Sequence, residues 1–230
     1  MTVPGPGLRV FGQTGVRAVA LVLHGGQETS KVAAHRLRPA YLRMLPFARD
    51  LRSAGRAAGL AAWVLRYRYR GWNVPDLDPV ADAHWALGEI RRAHPGVPVV
   101  LVGHSMGGRV ALHVAGDEQV TAVCALAPWT PGSEPVGQLA GRTVLIAHGD
   151  RDTVTDPALS YDYAVRAKVV TDTVCRFDVC GEGHAMLRRA REWRLLVRRF
   201  TLGVLKIADL DHVIASALAK PSPGGLSVPL

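Results

Sequence analysis

Six short apolar runs alternate with segments of helical periodicity along this chain, and that alternation restricts the fold more than any single residue does. Val16 to Leu23, Leu60 to Tyr69, Pro98 to Val102, Val120 to Leu126, Thr143 to Ala147 and Thr173 to Val179 are short, apolar and mostly bounded by turn-forming residues, the pattern of strands buried on both faces. Between them, Leu45, Ala48 and Leu51 recur at helical spacing in a helix starting near Met44, where Pro46 fits only the first turn. Val80, Ala83, Leu87 and Ile90 mark a second helix, and Met106, Val110 and Val114 a third. Ala158, Tyr161, Val165 and Val169 mark a fourth, and Met186, Ala190, Trp193, Val197 and Phe200 a fifth. Strands separated by helices require right-handed crossovers, so the expectation is an α/β chain with a doubly wound, mostly parallel sheet covered on both faces.

At 230 residues, 48% of them hydrophobic, the chain is long enough for one such domain, expected over residues 1–220. An additional helix is expected over 203–219, where Ile207, Leu210, Ile214 and Ala217 recur at three, four and three. An isolated helix of that length is marginal in water, so its stripe needs a partner. The protein's own body, a second copy of the chain in a homo-oligomer, and the open rim of the functional site are the three candidates. The Pro, Gly and Ser-rich residues 221–230 read as a disordered tail.

The longest apolar runs are six residues, far below the roughly 20 of a membrane-spanning helix, so no membrane role is expected. Met1 to Gln13 has no secretory leader pattern, which makes the cytoplasm the expected compartment. Cys124, Cys175 and Cys180 are odd in number, and Cys175 and Cys180, five apart, would face opposite ways on one strand, so no disulfide framework is expected.

The formal charge of +9 raises a nucleic-acid reading. It rests on charge alone. Of 28 cationic residues only four are Lys, groove-reading motifs are absent, and the densest run, Arg188 to Arg199, lies largely on the solvated side of the fifth helix. No nucleic-acid partner is expected. Arg66, Arg68 and Arg70 alternate along a strand end and are either an anion patch for a substrate carboxylate or phosphate, or ion-pair partners of Asp76, Asp78 and Asp82. The second reading is favoured.

The strand ending at Val102 runs into Gly103-His104-Ser105-Met106-Gly107 and at once into a helix. A Ser on such a strand-to-helix turn projects its hydroxyl above the sheet. The hydroxyl is a weak nucleophile unless a base is nearby, and the base needs a carboxylate to fix its tautomer. Asp152 lies beyond the Thr143 strand in His148-Gly149-Asp150-Arg151-Asp152, and His184 lies beyond the Thr173 strand in Gly181-Glu182-Gly183-His184. Both therefore reach the carboxyl edge of a parallel sheet.

With Leu23-His24-Gly25-Gly26 added to these motifs, the chain over roughly Val16 to Leu202 resembles the α/β-hydrolase fold family, in particular its small, lidless esterase-like and dienelactone-hydrolase-like members. The resemblance implies Ser105 as nucleophile, His184 as base and Asp152, rather than Asp150, as the acid. It also implies an oxyanion hole from the backbone N–H groups of Met106 and Gly26. Ser105 departs from dienelactone hydrolases proper, whose nucleophile is a cysteine. The implied activity is cleavage of an ester, thioester or similar acyl bond in a small-molecule substrate through an acyl-serine intermediate, with no cofactor and no metal. A non-catalytic binding protein of the same fold is the alternative. Only about a dozen residues separate the strands near Pro128 and Arg142, too few for a cap domain, so the site should be open, with Trp72 and Trp129 as candidate pocket walls.

Overall fold

A computed structural model describes residues 4–230. The chain runs β1 (Gly7–Phe11), β2 (Ala18–Leu23), α1 (Pro39–Ala54), β3 (Leu60–Arg66), α2 (Asp78–Ala93), β4 (Val99–His104) and α3 (Met106–His113). It continues β5 (Val120–Leu126), β6 (Thr143–Gly149), α4 (Pro157–Val170), β7 (Val174–Val179), α5 (Ala190–Val204), α6 (His212–Ala219) and β8 (Val228–Pro229). All eight strands form one sheet in the order β1-β3-β2-β4-β5-β6-β7-β8. β1 is antiparallel to β3 and every other pairing is parallel. This is the α/β-hydrolase fold, with no cap domain among the described residues.

Period-two alternation divides the central strands between two cores. Val19, Leu21 and Leu23 of β2 face α2, α3 and α4, while Ala18, Ala20 and Val22 face α1, α5 and α6. Both faces are covered, which is why these strands read as unbroken apolar runs. Chain order reverses direction across the sheet at β2 and β4, so the loops leaving those two strands open a crevice at their carboxyl ends, where doubly wound sheets bind ligands.

Several elements differ from expectation, each for a local reason. β1 was not anticipated; it is short, half-buried and pairs only at the sheet edge. α1 begins at Pro39, so Pro46 lies inside the helix; its missing N–H orphans only the carbonyl of the exposed Leu42. α4 turns a different face inward. Val169 is 82% exposed, whereas Ser160, Tyr163, Ala164, Ala167 and Lys168 are buried. Polar members of that stripe are satisfied: Lys168 Nζ donates to Val174 O at 2.6 Å, and Ser160 Oγ accepts from Arg176 Nε at 3.2 Å.

The expected 203–219 helix is divided. α5 extends to Val204, the chain folds back so tightly that a Cβ on Gly203 would lie 2.6 Å from Leu210 Cδ1, and α6 starts at His212 under an Asp211 cap. Ile214 and Ala217 pack into the same core as Phe177 and Leu196, so the protein's own body covers the stripe. Residues 221–230 are not a disordered tail. Val228 pairs with Phe177 and Pro229 with Asp178, and Leu226 is fully buried. The segment therefore covers the exposed edge of β7.

Cys124 and Cys175 are buried on the same side of the sheet, and all three cysteines are free. Burial pushes the Cys175 thiol up to about 12, and Cys124 is raised by the same cause. No helix among the described residues is long and apolar enough to cross a membrane.

Candidate active site

Ser105 caps α3 at φ 57° and ψ −123°, a conformation a non-glycine residue adopts only under constraint, costing on the order of 1–3 kcal/mol. The constraint is visible on both sides. A Cβ on Gly103 would stand 2.1 Å from Gly107 O, and one on Gly107 would stand 2.4 Å from Leu23 O. The two glycines flanking Ser105 at ±2 therefore let β2, β4 and α3 meet at backbone distance.

Three strand ends converge on this turn. His184, from the loop after β7, places Nε2 2.9 Å from Ser105 Oγ and Nδ1 2.8 Å from Asp152 Oδ2. Asp152 follows β6, and its side chain is fully buried. Val154 N–H and Thr155 N–H donate to Oδ1 at 2.8 and 3.0 Å. Oδ2 receives the Thr155 hydroxyl at 2.9 Å, His184 Nδ1 at 2.8 Å and His148 Nε2 at 3.2 Å. Burial alone would raise this carboxyl; the hydrogen bonds, led by those from His148 and His184, outweigh it and hold Asp152 well below the usual carboxylate range. An ionised Asp152 only accepts, so His184 carries its proton on Nδ1 and presents the Nε2 lone pair to Ser105 Oγ–H.

Asp150 lies outside this relay, since its Oδ1 accepts Gly181 N–H at 2.7 Å and so joins the β6 loop to the β7 loop. His104 Nε2 donates to His184 O at 2.9 Å. Burial, then the nearby His184, pushes His104 down to about 3, so it stays neutral and holds backbone. His24, lowered to about 4 mainly by burial, likewise accepts Tyr67 N–H at 3.4 Å. His148 also supports the Asp152 carboxylate. Its Nε2 faces two acceptors, Asp152 Oδ2 and Thr155 O, so Nε2 carries the proton and Nδ1 receives Ser160 Oγ–H at 2.8 Å.

A cleft of about 260 Å³ opens beside Ser105, lined by Gly26, Gln27, Glu28, Ser105, Met106, Trp129, Val154 and Thr155. Gln27 N–H is taken by Arg70 O at 2.8 Å, whereas among the described residues the N–H groups of Gly26 and Met106 have no backbone acceptor. A Cβ on Gly26 would lie 2.4 Å from both Arg70 O and Met106 Cε, so only glycine fits there.

Of the two candidate tryptophans, Trp129 lines the cleft and Trp72, 1% exposed, does not. Trp72 instead packs behind Trp129, their ring centroids 6.3 Å apart at 79°. Arg109 fills the corner between them, its guanidinium carbon 3.9 Å from the Trp72 centroid and 4.3 Å from that of Trp129. Glu134 holds Arg109 at 2.5 Å and also meets His113. Burial works to raise Glu134, but the bonds from His113 and Arg109 prevail and lower it. Sequence inspection singled out neither Arg109 nor Glu134. The available signal was Arg109 at i+4 from Ser105, on the face of α3 that must be buried.

The arginine row is occupied elsewhere. Arg68 pairs with Asp82 at 2.5 Å and Asp78 at 3.6 Å, while Arg66 and Arg70 donate to the backbone carbonyls of Ala34 and Ala33. Asp76 pairs with Lys31. Among the described residues no group of three or more His, Cys, Asp or Glu side chains has the geometry to hold a metal ion.

Sheet order and strand-end relay together define an α/β hydrolase. The chain belongs to the alpha/beta hydrolase family, which it matches over residues 20–226. An alpha-beta serine hydrolase homologue from Coxiella burnetii superposes with a TM-score of 0.64 at 17% identity, over 84% of this chain and 90% of that one. An α/β serine hydrolase without lid from Xanthomonas campestris gives 0.62 at 18%, over 92% and 95%. An esterase from Pyrococcus furiosus gives 0.63 at 15%, over 81% and 82%. At these identities the likeness is one of fold. No curated protein matches the sequence.

Proposed function

We propose that this hydrolase cleaves an ester, thioester or similarly activated acyl bond through a covalent acyl-Ser105 intermediate. The observation that carries this reading is the unbroken relay from Ser105 Oγ to His184 Nε2 at 2.9 Å and from His184 Nδ1 to Asp152 Oδ2 at 2.8 Å. His184 Nε2 takes the hydroxyl proton as Oγ bonds the acyl carbon, and the carbonyl π pair moves onto oxygen. The N–H groups of Met106 and Gly26 receive that oxyanion, each contributing about 3 kcal/mol to the transition state. Collapse expels the alcohol or thiol with the proton from Nε2–H. Water then repeats the sequence on the acyl-enzyme, and Asp152 stays ionised throughout, stabilising the imidazolium.

The open cleft, with Trp129 and Val154 as its apolar walls, suits short or exposed acyl groups. A p-nitrophenyl ester series from acetate to decanoate tests this. The expected result is a stoichiometric burst with the short esters, absent in Ser105→Ala. Absence of burst and turnover across the whole series in the native chain would contradict the reading.

A further inference from the structure

His184 rides on residues 180–189, the connection between β7 and α5. Glu182, 2% exposed, closes this loop from within, one carboxylate oxygen accepting Gly183 N–H at 2.9 Å and the other Arg189 N–H at 2.8 Å. The loop's two ends meet directly, Arg189 Nη1 donating to Cys180 O at 3.4 Å, and from outside they are joined through one oxygen of the C-terminal segment. Leu230 O accepts Cys180 N–H at 3.2 Å and also the Arg189 guanidinium through Nη1.

Leu230 is itself fixed to β7. Its N–H donates to Asp178 O at 2.9 Å, Arg176 N–H donates to Gly225 O at 2.8 Å, Arg176 Nη1 to Leu226 O at 3.3 Å, and the Ser227 hydroxyl to the Asp178 carboxylate. Leu226 is fully buried beneath this ladder. The segment lies beyond everything the relay and the parallel sheet require.

We propose that residues 225–230 are a latch for the His184 loop, and that Arg189 is a positioning residue acting through it. Clamping both ends of a ten-residue loop to one edge-paired strand restricts where the imidazole stands, and a displacement near 1 Å at such a group can lower a rate by about 10²-fold. The latch rests on the serine-hydrolase reading for its effect on rate but not for its effect on loop geometry, so two independent readouts are needed.

The test compares the native chain with Arg189→Met, Arg189→Lys and a chain shortened to end at Leu226, which keeps the buried leucine. The first readout is the downfield NMR resonance of His184 Nδ1–H, which requires no turnover. It is expected to broaden through solvent exchange in Arg189→Met and in the shortened chain, and to recover in Arg189→Lys. The second is ester hydrolysis at matched folded fraction, where kcat should fall on the order of tenfold in Arg189→Met, further in the shortened chain, with KM within about twofold. A sharp, unshifted resonance together with unchanged kcat in Arg189→Met overturns the latch. If the shortened chain fails to fold, a chain ending at Pro229, which loses Leu230 O but keeps the Arg189 bond to Cys180 O at 3.4 Å, takes its place, and an unchanged resonance and kcat there overturn the latch. Absence of turnover in the native chain would count against the hydrolase reading, and the resonance would still decide the latch.

Discussion

Ser105 and His184 stand within hydrogen-bonding distance, yet the chain brings them there by different means. The serine turn is local: a buried strand, two glycines that admit neighbouring backbone, and a helix beginning one residue later, all inside Val99–His113. The histidine loop is assembled from a distance. Asp150, His104, Glu182 and Leu230 each hold part of it, and they come from the turn after β6, from β4, from the loop itself and from the β8 segment. A turn fixed by sterics should fail abruptly when a methyl group is added; a loop fixed by separate hydrogen bonds should lose function in steps.

The largest expected effect removes the relay itself. Ser105→Ala or His184→Ala should lower kcat on the order of 10⁶-fold, as removal of either partner does in other serine hydrolases, with the melting temperature essentially kept. Retained activity in Ser105→Ala with a purified, mass-verified protein would refute the proposed nucleophile.

Next come the two aspartates that sequence alone left in competition. Asp152→Asn leaves His184 in the wrong tautomer and should cost up to about 10⁴-fold in rate. Asp150→Ala removes only the acceptor of Gly181 N–H, about 1 kcal/mol of stability, and should change the rate far less. The reverse ranking would move the acid to Asp150.

The third prediction contrasts the regions directly. Helix propensity says that Gly107→Ala should stabilise α3 by about 1 kcal/mol. The 2.4 Å approach of its Cβ to Leu23 O says otherwise, and because both sides are backbone the steric term wins, so a loss of about 3 kcal/mol is expected. Gly183→Ala, beside His184, meets only Arg151 O at 3.7 Å and should be neutral within about 0.5 kcal/mol. Chemical denaturation of both variants measures the difference, and equal effects would erase the distinction between turn and loop.

Those contrasts explain what could be read from the chain. The six central strands and the Ser105 turn were legible because their signals, apolar runs and closely spaced glycines, lie within a few residues of one another. The proposed acid and base emerged only when three strand ends were considered together, and the choice of Asp152 over Asp150 came from a family resemblance. α4 was found but turned to the wrong face, because hydrophobicity cannot reveal that Ser160 and Lys168 are buried with their hydrogen bonds satisfied. The β8 segment looked disordered because it is held by backbone pairing and one buried leucine, neither of which stands out in a Pro, Gly and Ser-rich stretch. Trp72 and Trp129 were indistinguishable by type; only the fold places one behind the other.

A smaller effect joins the two regions through pH. His24 and His104 are held neutral when folded, down to about 4 and about 3, whereas unfolded histidine titrates near about 6.5. As pH falls below that value the unfolded state takes up these protons first, so stability should drop by about 1.4 kcal/mol per pH unit for each imidazole until the folded values are passed. The depressed Asp152 carboxyl contributes stability at neutral pH that is lost only below about pH 4, so it adds little to this window. His104→Gln keeps a donor for His184 O and should remove one of the two slopes between pH 6 and 4. An unchanged slope in denaturation curves would show that His104 does not contribute.

Fluorophosphonate labelling followed by intact-mass and peptide mass spectrometry tests the central claim most directly, because it asks whether Ser105 is activated without requiring knowledge of the substrate. The prediction is one adduct per native chain, on the peptide containing Ser105, absent in Ser105→Ala and strongly slowed in His184→Ala. No adduct on the native protein, or an adduct that persists in Ser105→Ala, would contradict it.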